Sequence, residues 1–138
     1  MLDMRAPTAL LLAALACVPL SAAADRTLGA GVTLTEPTRL EDVIATPASF
    51  EGKTIRVDGV VTAVCEHQGC WMTLAPPTSN PDAPKTLRLK VEDGVIVFPV
   101  SAKGRAASAQ GTIEKTGGDD HHGNAGTYQL RATGAVLR

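Results

Sequence analysis

Cys65-Glu66-His67-Gln68-Gly69-Cys70, followed at once by Trp71-Met72, is the densest group of chemically capable side chains in this sequence. Two thiols with four residues between them can close a disulfide, supply half of a metal site, or work as a dithiol–disulfide redox pair. Each chemistry needs two sulfurs brought together, and a tight turn between two strands does that. Two sulfurs are too few for a closed structural zinc site, so other ligands have to join them. His67 lies inside the hexad, and His121-His122 follow Asp119-Asp120 in a glycine-rich stretch further along. Cys65, Cys70, His67, His121 and His122 together form a mixed sulfur and nitrogen set suited to a zinc or copper ion. The first alternative is a hairpin disulfide between Cys65 and Cys70, a staple worth roughly 2 kcal/mol for so short a loop. The second is thiol–disulfide exchange. Against it stand a spacing that is not Cys-x-x-Cys and the lack of an obvious helix N-terminus to lower a thiol pKa.

The compartment governs how thiols are read. Arg5, an apolar run over residues 9–16 and the small residues Ser21-Ala22-Ala23-Ala24 predict a signal peptide over residues 1–24, cleaved after Ala24. That run is too short to span a bilayer, and no other segment is suited to cross one. Cys17 is a poor site for a lipid anchor, because Leu15 is bulky and Ala14 stands at the third position upstream. The expected protein is therefore exported, in the periplasm or secreted, into an oxidising space. Of the three cysteines, loss of Cys17 leaves an even pair.

Composition narrows the partners. Thirteen Lys and Arg against fourteen Asp and Glu give a net charge of −1. Only Phe50, Trp71, Phe98 and Tyr128 can stack on bases, so nucleic acid is not the expected partner. There is no nucleophile elbow, paired-carboxylate motif or phosphate-binding glycine loop, and no catalytic constellation, so the chain is not read as an enzyme. Trp71 has the parity of an outward face. It offers a rim for an envelope protein partner, or else lies under the helix or the Pro76 loop. Met72 has core parity and is read as packing.

These residues need a scaffold, and the hydrophobic periods supply one. Residues 25–37 show no strong period and read as an extended arm. Thr38-Arg39-Leu40-Glu41 fits a capping box. Leu40, Val43 and Ile44 then make one helical stripe, which Pro47 ends. From Lys53 the period becomes two: Ile55, Val57, Gly59, Val61, Ala63 and Cys65 on one face, Arg56, Asp58 and Thr62 on the other. Val60 and Val64 break that pattern, which makes Gly59 the candidate for a bulge or sharp bend. Cys70, Met72 and Leu74 alternate, as do Leu87, Leu89 and Val91. A short apolar run over residues 95–98 follows. Ala107, Ala109, Gly111 and Ile113 make a further strand, and Tyr128, Leu130, Ala132 and Val136 the last. Two long loops cover residues 76–84 and 117–126.

A long bent first strand, about four shorter ones and one short N-terminal helix predict an all-β domain over residues 38–138. It is a small OB-fold-like β-barrel of five to six strands, with a small β-sandwich as the alternative. The chain also resembles the domain-of-unknown-function family numbered 4920, small exported bacterial proteins. The resemblance rests on Gly52-Lys53-Thr54-Ile55-Arg56-Val57-Asp58-Gly59-Val60-Val61, Val64-Cys65, Gly69-Cys70-Trp71-Met72 and Phe98-Pro99, and it spans roughly residues 40–113. It implies an OB-like barrel and singles out the two cysteines, but brings no activity with it.

Two expectations about the site follow. If Cys65 pairs directly with Cys70, Ala63 faces Met72 and Val61 faces Leu74, apolar against apolar, with both sulfurs on one face. If residues 87–98 form one bent strand, the hexad joins barrel strands one and two and the Asp-His run joins strands four and five. Those two loops lie on the binding side of an OB-fold.

Overall fold

Alternation of buried and exposed residues along the strands builds the core of the barrel. The computed structural model describes residues 24–80, 82, 85–92, 94–116 and 128–138. Its strands are β1 (Arg26–Gly29), β2 (Thr54–Val64), β3 (Trp71–Ala75), β4 (Leu87–Lys90), β5 (Ala106–Lys115) and β6 (Tyr128–Leu137), and a short helix, α1 (Leu40–Ala45), precedes β2. β2 pairs antiparallel with β3 and β5, β3 with β4, and β5 with β6. β4 and β6 run parallel. These pairings close the ring β2-β3-β4-β6-β5, and β1 adds to β6 as an extra strand. A closed five-stranded mixed barrel with one short helix is the OB-like architecture expected, and it sets the sandwich aside. No helix of the described residues is long and apolar enough to cross a membrane.

Ile55, Val57 and Val61 of β2, Met72 and Leu74 of β3, Leu87 and Leu89 of β4, Ala109 and Ile113 of β5, and Leu130 of β6 fill the interior. Leu40 and Val43 of α1 are buried in the same cluster, and Ile44 packs on it. The helical stripe therefore does what its spacing requires.

Local details depart from the sequence reading. Thr38 does not cap α1: Arg39 is the N-cap, with no side-chain hydrogen bond. The Thr38 N–H donates instead to the Arg56 carbonyl at 2.7 Å, so β2 fixes this residue before the helix begins. In the arm, residues 26–29 pair with residues 134–137. Only Leu28 of these four is buried, which leaves no period to detect.

The bulge in β2 lies at Thr62, not Gly59. The β2–β3 ladder shifts register between Val61 and Ala63, and Thr62 is the extra residue. Its hydroxyl sits 2.6 Å from that of Thr73. Gly59 marks a close approach instead: a Cβ there would stand 2.7 Å from the Ala75 carbonyl oxygen and 2.9 Å from Leu40 Cδ2. Here β2 changes partner, pairing with β5 up to Val60 and with β3 from Val60 onward.

The expected bent strand over residues 87–98 is shorter. β4 stops at Lys90, a turn at Gly94 intervenes, and residues 95–98 are not in a strand. In β6 a register shift leaves Thr133 extra, with Gly111 opposite Ala132 and Gln110 opposite Gly134. The parity therefore flips, and Ala135 and Leu137 enter the core in place of Val136.

Candidate functional site

β2 delivers Cys65 to the first barrel hairpin, and β3 takes up the chain after Cys70. Val61 does face Leu74, but the extra Thr62 moves Ala63 opposite Thr73 and Val64 opposite Met72. Cys65 then meets Trp71, and its N–H donates to the Trp71 carbonyl at 3.0 Å. The cysteines are therefore not direct cross-strand partners, because one bulge has displaced the register by one residue. Val64 takes the inward position. Alternation then sets Cys65 on the outer side of the barrel with Trp71, not on the core face.

The loop closes on itself and on a neighbouring segment. The Gly69 N–H donates to the Cys65 carbonyl at 3.2 Å. The Gly69 carbonyl accepts from the Phe98 N–H at 2.9 Å, and the Cys70 carbonyl from the Val91 N–H at 3.0 Å. Gly69 is buried with φ +60°, a left-handed conformation that glycine adopts without penalty. A side chain there would also collide with the Phe98 carbonyl oxygen, 2.6 Å from the Cβ position. The hexad thus needs glycine for two independent reasons.

This folding directs amide dipoles at one sulfur. The Cys65 thiol is lowered from an ordinary 9.0 to about 7. The Gln68 backbone amide contributes most and the His67 amide next, against partial desolvation, with help from the Cys70 thiol and the Gly69 amide. Hydrogen bonds to the charged form favour it, so a substantial fraction of Cys65 is thiolate at neutral pH, where an ordinary thiol is almost wholly protonated. Both cysteines are half-buried free thiols, so the disulfide of the sequence reading is not formed in this structure.

The remaining sequence-predicted residues fare differently. The His67 side chain is exposed, and the residue serves Cys65 through its backbone amide. Among the described residues, no three His, Cys, Asp or Glu side chains are grouped to hold a metal ion. His121 and His122, with Asp119 and Asp120, lie outside the described residues, as do Cys17 and residues 1–23. The flanks of the His121-His122 loop are Lys115 and Tyr128, which pair. The following residue, Gln129, pairs with Arg88 near the start of β4, whereas the cysteine hairpin adjoins Lys90 and Val91 at its end.

Trp71 is half-buried on the outer face, and the Arg88 guanidinium lies 5.3 Å from its ring centroid. The two are diagonal neighbours across β3 and β4, a reach that suits an aromatic ring and a long cation. Met72 is fully buried and packs in the core, as its parity predicted. Sequence reasoning missed the amides of Gln68 and Gly69, the Arg88 contact, and the Phe98 backbone that clamps the loop. Gly69 was the one visible signal. No family model matches the chain, and no curated protein matches its sequence. The chemistry assigned to the hairpin accordingly rests on its own residues.

Proposed function

We propose that this protein binds a thiophilic metal ion, zinc or copper(I), through Cys65 and Cys70. One observation carries the reading: two free thiols share a single short hairpin, and backbone amides favour the thiolate of one of them. Thiolate is the form that ligates a metal, so such a pair loses fewer protons on binding than two ordinary thiols. Soft sulfur ligands select copper(I) and zinc over harder cations. His67, His121 and His122 are the candidates for further ligands. The reading includes export after a signal peptide ending at Ala24, and an envelope protein partner meeting the Trp71 rim.

Metal analysis of the reduced protein tests it. Zinc or copper(I) should stay with the wild type through gel filtration and be lost from Cys65→Ser and from Cys70→Ser. Wild type that retains neither ion overturns the reading. A second reading, thiol–disulfide exchange, is favoured by the Cys65 value of about 7 beside a second free thiol. An attacking thiol works best when its pKa lies near ambient pH. Equilibration with glutathione measures the reduction potential that this reading requires.

A further inference from the structure

The chain after Cys65 folds back on that residue's own sulfur. Residues 66–68 make a turn, closed where the Gly69 N–H donates to the Cys65 carbonyl at 3.2 Å. The backbone amides of Gln68, His67 and Gly69 donate to the Cys65 sulfur, and the Cys70 thiol donates to it as well. Successive amides in a turn form a concavity that holds negative charge. Its two ends are anchored. The Cys65 N–H is bonded to the Trp71 carbonyl at 3.0 Å, and the Gly69 carbonyl to the Phe98 N–H at 2.9 Å.

The two sulfurs are therefore not equivalent. Cys65 is the one that the amides surround, and Cys70 is its hydrogen-bonded neighbour. Both are half-buried free thiols, while Glu66, His67 and Gln68 are exposed, so the loop meets solvent. A solvent-reached sulfur that is favoured as the anion, with a second thiol beside it, is the arrangement of an oxidant-responsive pair. One cysteine attacks and the other resolves. A half-buried sulfur admits a small oxidant more readily than a bulky disulfide. Amides that donate to a thiolate can also donate to the oxygen that the sulfur acquires on oxidation.

We propose that this hairpin reacts with hydroperoxides, with Cys65 as the attacking sulfur and Cys70 as the resolving one. The Cys65 sulfur, as its thiolate, attacks the terminal oxygen of R–O–O–H. An S–O bond forms, the O–O bond breaks, and the leaving RO⁻ takes a proton from water to become ROH. Cys65 is then a sulfenic acid. The Cys70 sulfur attacks the Cys65 sulfur, the hydroxyl leaves as water with the Cys70 proton, and the disulfide closes. The pair gives two electrons to one hydroperoxide, of which hydrogen peroxide is the simplest. No metal takes part, so this activity goes beyond the metal-binding reading and belongs to the metal-free pair.

Mass spectrometry of reduced protein, held in a chelator and given one equivalent of hydrogen peroxide, tests this. The expected product has lost two hydrogens and carries a Cys65–Cys70 disulfide. Dimedone, which traps sulfenic acids, should label Cys65 in the Cys70→Ser variant. Cys65→Ser should consume peroxide roughly fivefold more slowly than wild type, because it lacks the sulfur that the amides hold. Equal rates in the two single variants, or faster trapping of Cys70 in Cys65→Ser than of Cys65 in Cys70→Ser, overturn the proposal. Wild type that reacts with oxidised glutathione but not with hydrogen peroxide also overturns it, and leaves thiol–disulfide exchange standing. Zinc and copper(I) retention by the reduced protein decides the metal-binding reading separately.

Discussion

Replacing Gly69 by alanine tests whether the cysteine loop is locked to the segment holding Val97 and Phe98. The backbone at 69 has φ +60°, where an L-residue costs roughly 1–2 kcal/mol. The new methyl would also stand 2.6 Å from the Phe98 carbonyl oxygen, 2.8 Å from Val97 Cγ1 and 3.0 Å from the Phe98 nitrogen. Val97 can rotate away, since it is half exposed. The Phe98 backbone can move only by loosening its 2.9 Å hydrogen bond to the Gly69 carbonyl. Strain of this kind adds about 1–3 kcal/mol, so the whole substitution should cost on the order of 2–5 kcal/mol. Urea unfolding of the reduced protein, read by Trp71 fluorescence, should then show a midpoint lower by about 1 M or more. Gly52→Ala is the control: φ is +78° there, and a Cβ meets no atom within 4 Å. It carries only the backbone cost of about 1–2 kcal/mol. Equal losses in the two variants refute the clamp, and wild-type stability in Gly69→Ala refutes the left-handed backbone as well.

Three further outcomes are expected. Alkylation of Cys65 by iodoacetamide, resolved by mass spectrometry, should rise with pH through a midpoint near 7, against the ordinary 9.0. A midpoint above 8 would show that the Gln68 and His67 amides do not hold the thiolate. Because the folded value lies below the unfolded one, the unfolded chain binds more protons between about pH 7 and 9, so the reduced fold gains stability across that window as pH rises. Cys65→Ala should remove this gain. Met72→Ala empties a fully buried core position and should cost about 2–5 kcal/mol while leaving the Cys65 midpoint near 7. A loss under 1 kcal/mol, or abolished alkylation, would contradict its assignment to packing.

The sequence alone determined what depends on period and residue type. Alternation over Ile55, Val57 and Val61, over Met72 and Leu74, and over Leu87 and Leu89 marked the strands and their buried faces, because each strand has to bury one side. The Leu40 and Val43 stripe marked the helix, and the Cys65 to Cys70 hexad marked the tight turn between two strands. Tertiary structure decided what depends on counting residues between neighbouring strands. Thr62 and Thr133 are ordinary strand residues in the sequence, and only the facing strands make them extra. One such insertion turned Cys65 outward and matched it with Trp71 instead of Cys70, since a shift of one residue exchanges the faces of a strand. The Cys65 thiolate likewise depends on where the Gln68 and His67 amides point, and the Phe98 clamp helps to fix that loop. Periodicity reports which side of a strand is buried, whereas register and dipole direction exist only once the strands have met.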